Sequence, residues 1–296
     1  TKWNYQENNY ERFRIKTSDN NYLANCITSI KEDSKGRIWV ATKDAAIYKF
    51  EPETGEFTAY NAPQIGLGTN IDKSLCIDHE DKIWIGTFGN GLFSFDPSTG
   101  KFNHFSTNNG NKGLNNNLIS DIIQVDKDHL MISTDQGGIN YYNMTSKTFE
   151  YIVQDKTIEN GLNTNGIICL HHDKEGILWV GTSRGGVNYY NPKSNKIQLL
   201  KHNPKNPNSL AYDIVGYMYE DDEGMIWIGT DGGGLNIYDP KTGDFSLFVH
   251  NPSNPHSISG NVIRCITEDK DGDVWVGTWG SGLNRYDRKT KKFHRY

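Results

Sequence analysis

The sequence predicts an all-β protein assembled from repeats, on three observations. A Trp-centred pattern returns at a nearly fixed period: Trp39, Trp84, Met131, Trp179, Trp227 and Trp275 stand 45, 47, 48, 48 and 48 residues apart. A period of this size marks a solenoid, a propeller or an array. Within the repeat, some offsets hardly vary. Threonine stands three residues after each anchor (Thr42, Thr87, Thr134, Thr182, Thr230, Thr278). An aliphatic stands at eight (Ile47, Leu92, Ile139, Val187, Leu235, Leu283) and an aromatic at eleven (Phe50, Phe95, Tyr142, Tyr190, Tyr238, Tyr286). Finally, no segment carries apolar residues at helical spacing for long enough to make a helix.

Residues 224–248 show the unit most clearly. An aromatic-centred β run (Met225-Ile226-Trp227-Ile228) leads into a glycine-rich bend (Asp231-Gly232-Gly233-Gly234), then a second run to Tyr238. A Pro/Thr/Gly turn (Pro240-Lys241-Thr242-Gly243) and a third run from Phe245 follow. Upstream of each anchor lies one more apolar run and an Asp-rich turn, as in Val262-Ile263-Arg264-Cys265-Ile266 and Asp269-Lys270-Asp271-Gly272-Asp273. The unit therefore reads as four short antiparallel strands, A to D, with turn chemistry at every junction. Four-stranded units of this length match the blades of a β-propeller. A lone sheet of this kind has two apolar faces, so each anchor is buried only when the next blade leans on it, gaining roughly 2–3 kcal/mol per side chain.

Taken in order, Phe13-Arg14-Ile15 fits a strand D with Phe13 at the place of Phe245, and Trp3 then falls at the aliphatic position of strand C. Residues 1–16 thus read as strands C and D of a partial blade, followed by six full blades within one domain spanning 1–296. A ring of six is one closure. Seven blades in the parent protein, with the two termini sharing one blade, is the favoured alternative because it removes exposed sheet edges. Repeat three departs most: its anchor is Met131 and its A–B turn (Asp126-Lys127-Asp128-His129) lacks glycine. Repeat one replaces bend glycines with Ala45 and Ala46.

Alternating strand directions put the B–C bends and D–A connections on one face. The A–B and C–D turns are stereotyped; the first face varies blade by blade. There stand Lys43 and Asp44, Phe88 and Asn90, Asp135 and Gln136, Arg184, Asp231, then Trp279 and Ser281. A constant scaffold presenting varied polar and aromatic groups suits a polar ligand or partner, and these ten are the candidate ligand-binding residues. Asn at fourteen before the anchor (Asn25, Asn70, Asn117, Asn165, Asn261, with Asp213 in the fifth) reads as a loop tie rather than a ligand.

With 31 Lys and Arg against 36 Asp and Glu, net charge is −5 and the cations are scattered, so no basic stripe supports nucleic-acid binding. No run of 18 apolar residues spans a membrane, and Thr1-Lys2-Trp3-Asn4-Tyr5 lacks a signal-peptide pattern, as expected of an excised or processed piece. Cys26, Cys76, Cys169 and Cys265 lie in or beside A strands and read as small buried residues. No catalytic residues, metal ligands or cofactor are assigned. Asp269-Lys270-Asp271-Gly272-Asp273 opens like a calcium loop, but its twelfth position is Gly280, not glutamate. His202 and His250 share one offset in neighbouring blades and are the sole hint of a metal or acid–base pair.

The motif Gly-x-Ile/Leu/Val-Trp-Ile/Val-Gly-Thr, then Gly-Leu/Val-Asn and Tyr-Asp/Asn, at 176–192, 224–240 and 272–288, resembles the two-component regulator propeller repeat. The Asp-rich turn before Trp is also similar to the Asp-box of sialidases, without their trio of arginines. The propeller-repeat resemblance covers nearly the whole chain. It implies the periplasmic sensor region of a hybrid two-component histidine kinase, in which a companion propeller and a Y_Y_Y immunoglobulin-like module accompany this one in a homodimer. It further implies an oligosaccharide ligand from polysaccharide breakdown and no enzymatic activity in the fragment. Two readings stand beside it: a propeller lyase of the streptogramin or polysaccharide type, and a purely structural, dimerising propeller.

Overall fold

The computed structural model describes the chain except residues 1, 5–8, 18–19, 62–65, 70, 109–112, 159–160 and 195, and describes only the backbone of residues 2–4 and 9. The described residues form six four-stranded antiparallel sheets, each in the order A-B-C-D, the blades of a β-propeller. In blade 5 the strands are Val215–Glu220, Ile226–Thr230, Leu235–Tyr238 and Phe245–Phe248. In blade 6 they are Ile263–Glu268, Val274–Thr278, Gly282–Asp287 and Lys292–Arg295. Helix among the described residues is confined to 3-10 geometry, at Tyr22–Asn25 and again at Thr107 and Asn108. No helix among them is long and apolar enough to cross a membrane.

Residues near the start form a separate two-stranded hairpin, Lys2–Asn4 against Asn9–Glu11. This shifts the expected register. Trp3 pairs with Tyr10 as Tyr238 pairs with Phe245, so Tyr10, not Phe13, holds the strand-D aromatic place. Trp3 holds the aromatic rather than the aliphatic place of strand C. Phe13-Arg14-Ile15 lies beyond the hairpin, where Phe13 packs edge-on against Phe50 at 4.8 Å. The alternation of Phe13-Arg14-Ile15, which Tyr10-Glu11-Arg12 lacks, accounts for the three-residue displacement.

The chain forms two compact units, Thr1–Ile132 with Asn140–Tyr151, and Ser133–Ile139 with Ile152–Tyr296. In the first, Trp39 of blade 1 is buried among Leu75, Ile83, Ile85 and Phe95 of blade 2. Trp84 of blade 2 is likewise buried among Ile119, Ile122, Leu130 and Ile132 of blade 3. In the second, Trp179 is enclosed by Val215, Met218, Ile226 and Ile228 of blade 5, and Trp227 by Ile263, Ile266, Val274 and Val276 of blade 6. Each indole is therefore hidden by the following blade, as the hydrophobic effect requires of a sheet with two apolar faces. Trp275 is only half-buried and Cys265 is exposed rather than buried, because both lie on the face of blade 6 that a following blade covers in blades 4 and 5.

The A–B junctions rest on an aspartate six residues before each tryptophan. Asp221 Oδ2 accepts the indole N–H of Trp227 at 2.7 Å while its Oδ1 accepts the amides of Glu223 and Met225. The same set recurs at Asp33, Asp78, Asp173 and Asp269. This is why the turn looked like a calcium loop: in Asp269 both carboxylate oxygens are engaged by the protein's own N–H groups. Blade 3 lacks both partners, with Met131 at the anchor and Val125 six residues before it; its turn is held instead by the neighbouring Asp126, whose Oδ1 accepts the Asp128 amide and lies 2.8 Å from His129 Nδ1. Neighbouring blades are stitched by a carboxylate at the end of strand A, as where Glu220 accepts the Lys174 amide and Glu268 the Asp222 amide, each at 3.0 Å.

Candidate functional site

The threonine three residues after each anchor builds the B–C bend. Thr230 Oγ1 donates to the Gly234 carbonyl at 2.7 Å, and Thr87, Thr134, Thr182 and Thr278 do the same to Gly91, Gly138, Gly186 and Gly282. The accepting glycine must be glycine. At Gly234 φ is +83°, and a Cβ would lie 2.4 Å from the Phe248 carbonyl oxygen of strand D. Blade 1 solves the bend differently. Asp44 replaces the glycine carbonyl, accepting from Thr42 Oγ1 and the Ala46 amide, and takes the Tyr48 hydroxyl as well.

The residue after each threonine is the one that varies, and backbone hydrogen bonds fix where it stands. Its N–H donates to a carbonyl at the entry to its own strand A: Lys43 to Cys26, Phe88 to Asp72, Ser183 to Gly166, Asp231 to Ile214 and Trp279 to Val262. It also forms a bridge to the strand-A entry of the next blade, where Phe88 pairs with Leu118, Asp135 with Gly166 and Asp231 with Val262. Bends of adjacent blades are thereby laced together through one intervening residue. In the second unit, Val262 is bridged to Asp231 and accepts the amide of Trp279.

Not all ten candidates remain available to a ligand. Asp44 is buried and its carboxylate is consumed by the bend. Lys43 pairs with Asp72 at 3.1 Å, and Asn90 donates to the Gly66 carbonyl at 3.2 Å. Phe88 is half-exposed at 45%. Gln136 is exposed with a φ of +79°, Asp135 is engaged in its bridge to Gly166, and Arg184 and Ser281 are exposed. Asp231 and Trp279 differ, because a third residue joins them. Arg264 lies 5.1 Å from the Trp279 ring centroid, and its Nη2 is 3.8 Å from Asp231 Oδ1. Trp279 is 71% exposed, the most open tryptophan among the described residues.

Sequence reasoning missed Arg264 because it sits inside a strand. Strand A of blade 6 carries a β-bulge at this residue: Ile263 pairs with Thr278 and Cys265 with Gly277, leaving Arg264 unpaired. A bulge re-aims the side chain it releases. Blades 1, 4 and 5 carry the same bulge at Thr28, Ile168 and Gly216, so the cation there is particular to blade 6. Comparing that one offset across the repeats picks out two cations, Arg264 and Lys73, and only the bulge, absent from the Lys73–Thr87 pairing, separates them. Tyr212, 42% exposed, was missed as well; it lies against the Gly232-Gly233 bend beside Asp231.

In the first unit, Lys73 fills a place on the A–B ladder that an aliphatic holds in blades 1, 4, 5 and 6. Its buried ammonium donates to the Thr42 and Asp44 carbonyls. Burial pushes its pKa down to about 8, against the opposing pull of Asp44 and Asp72. Each histidine of the expected pair spends Nδ1 within its own connection. His202 Nδ1 donates to the Leu210 carbonyl and His250 Nδ1 to the Ile258 carbonyl, each at 2.9 Å, so both rings brace their own D–A connections. The loop-tie role expected of the recurrent Asn is seen at five blades, where Asn25, Asn117, Asn165, Asp213 and Asn261 each accept a backbone amide across the connection; Asn70 lies outside the described residues.

The family described as two component regulator propeller matches residues 21–44, 161–184, 209–232 and 257–280, four stretches at the same point of the repeat. No curated protein matches the sequence. Among solved structures, the fold is shared with the extracellular domain of a putative hybrid two component system from B. thetaiotaomicron, at 20% identity and a TM-score of 0.66, over 88% of this chain and 40% of that one. PorZ, a surface component of the type-IX secretion system of Porphyromonas gingivalis, is similar at 16% identity and a TM-score of 0.65, over 87% of this chain and 38% of that one. A virginiamycin B lyase from Staphylococcus aureus is similar at 15% identity and a TM-score of 0.60, over 92% and 84%. The chain thus spans about 40% of the length of the first of these structures.

Proposed function

We propose that this chain, whose repeats are those of the two component regulator propeller family, is a sensing propeller from the extracytoplasmic, periplasmic region of a hybrid two-component sensor, and that its ligands are oligosaccharides released by polysaccharide breakdown. The repeat match and the fold shared with an extracellular domain of such a system support the sensor context. One observation carries the ligand reading. Trp279 holds an indole 71% in solvent, beside a guanidinium and a carboxylate, on a face where the rest of the scaffold repeats. Indole faces pack on the C–H faces of sugars, and planar charged groups answer their hydroxyls.

Titration of the intact chain with neutral and acidic oligosaccharides by calorimetry tests this. Saturable heat with any glycan supports the reading. Silence across the panel overturns it and favours a scaffold or dimerising propeller, while turnover of a glycan or a lactone antibiotic by the chain would overturn it in favour of a lyase.

A further inference from the structure

Within that reading, we infer that the sugar site is the cluster Asp231–Arg264–Trp279 on blades 5 and 6, and that it selects uncharged sugars bearing adjacent hydroxyls. The three residues come from separate places in the chain: the B–C bend of blade 5, the bulge of strand A in blade 6, and the B–C bend of blade 6. Val262 sets them side by side through its bridge to Asp231 and the amide it receives from Trp279. The arrangement is held by backbone bonds, so it is in place before a ligand arrives.

The polar groups of this cluster are poised rather than satisfied. Arg264 carries five N–H donors and makes no hydrogen bond to the described residues. Its distance of 3.8 Å from Asp231 is an ion pair beyond hydrogen-bond range. Lys73 shows what a committed cation on a strand A of this protein looks like: 3% exposed, with its ammonium on two carbonyls. Arg264 is the opposite case, its side chain 47% exposed and lying on an indole that is itself in water. Cation–π contact of this kind limits the guanidinium's freedom, so little ordering remains for a ligand to impose.

Charge decides the ligand class. Arg264 and Asp231 neutralise one another, so the cluster attracts neither sign of ligand strongly at a distance. It offers donors and an acceptor within one side chain's reach of each other, which suits two neighbouring hydroxyls, one accepting from Arg264 and one donating to Asp231. A uronate or sulfate group would gain Arg264 but meet the Asp231 carboxylate, and the desolvated like charges would oppose binding. Trp279 then covers the apolar side of the sugar ring.

The test uses the intact chain, calorimetry and tryptophan fluorescence, with neutral gluco-, manno-, galacto-, xylo-, arabino- and fructo-oligosaccharides beside uronate-bearing and sulfated ones. A neutral glycan is expected to bind and to change the emission of the exposed indole. Trp279→Ala and Arg264→Ala should each weaken it at least tenfold with an unchanged thermal midpoint, since both side chains face solvent. Asp231→Asn should weaken neutral glycans and improve uronates, whereas Phe88→Ala, an exposed aromatic on another bend, should change nothing. Binding of a neutral glycan that survives both Trp279→Ala and Arg264→Ala overturns the site while leaving the sensing reading intact. A preference of the unaltered chain for uronates or sulfates overturns the selectivity. No glycan binding at all overturns the sensing reading and this inference with it.

Discussion

The repeats contain their own control for the energetic value of one buried hydrogen bond. An asparagine nine residues after the anchor (Asn140, Asn188, Asn236, Asn284) is buried in four blades. Its Oδ1 accepts an amide at the entry to the blade: Asn115, Asn163, Ala211 and Ser259, respectively. In three blades the side chain of that entry residue returns the favour, since Nδ2 donates to Asn115 Oδ1 at 2.9 Å, Asn163 Oδ1 at 2.8 Å and Ser259 Oγ at 2.8 Å. In blade 5 the entry residue is Ala211, and Asn236 Nδ2, fully buried, has no hydrogen-bond partner among the described residues. Ala211→Ser should supply one, because Ser259 reaches Asn284 from the same place. A buried donor left unmade costs about 1–3 kcal/mol and a made bond contributes about 1 kcal/mol, so the expected gain is about 1–2 kcal/mol. For a protein of this size that corresponds to a rise of about 2–5 °C in the midpoint of thermal unfolding, read by circular dichroism. The mirror change, Ser259→Ala, should lower it by a similar amount. An Ala211→Ser variant no more stable than the parent, together with a Ser259→Ala variant that loses nothing, would show that these amides do not hold the blade entries, and the reasoning would fail.

Three further outcomes follow from the same scaffold. Asp221→Asn should destabilise by about 1–3 kcal/mol, because it weakens the buried acceptor of the Trp227 indole and removes the Arg288 Nη1 ion pair at 3.0 Å while Glu268 keeps a counter-charge beside that guanidinium, whereas Asp269→Asn, without such a cation, should cost less; urea unfolding of the two variants compares them. Gly234→Ala should cost about 1–3 kcal/mol or more through its left-handed backbone and the Phe248 carbonyl in its way, while Gly243→Ala, with open space around it, should pay only the backbone part. Burial lowers the pKa of His171 to about 4, below its ordinary value of 6.5, so the unfolded chain takes up the proton first. Stability is then complete above pH 6.5 and falls by up to about 3 kcal/mol as pH drops from 6.5 to 4, and His171→Gln should flatten that limb of a pH–stability curve.

The blades were legible in the sequence because each of their signals is local and said six times. Trp227, Thr230, Leu235 and Tyr238 lie within one hairpin, and their alternation and turns follow from short-range sterics. The aspartate six before the anchor was visible as turn chemistry, but its bond to the indole was not, since nothing in the spacing shows which way a ring nitrogen points. The hairpin at Lys2–Glu11 was misplaced because a partial blade carries no anchor to count from. Asp44 is a ligand candidate by its place just after the invariant threonine on the variable face, and the spacing does not show that its carboxylate takes over the role of the bend glycine carbonyl. Arg264 was passed over although it breaks a pattern, at a position where strand alternation hid it.

These two departures show how an exception in a repeat divides into repair and adaptation. At Asp44 the deviant side chain restores a hydrogen bond that the scaffold lost when alanine replaced the bend glycine, and it is buried with every oxygen engaged. Arg264 restores nothing. The bulge it occupies forms with Thr, Ile or Gly in other blades, and its own donors find no hydrogen-bond acceptor among the described residues. Arg288 marks the contrast within the same blade, because it stands where Pro192 and Pro240 stand in blades 4 and 5 and spends its guanidinium on Asp221, Glu268 and the Gly272 carbonyl. An unusual residue whose chemistry is spent inside the fold explains the fold. Arg264, lying open beside Trp279 and Asp231, has chemistry left for something outside it.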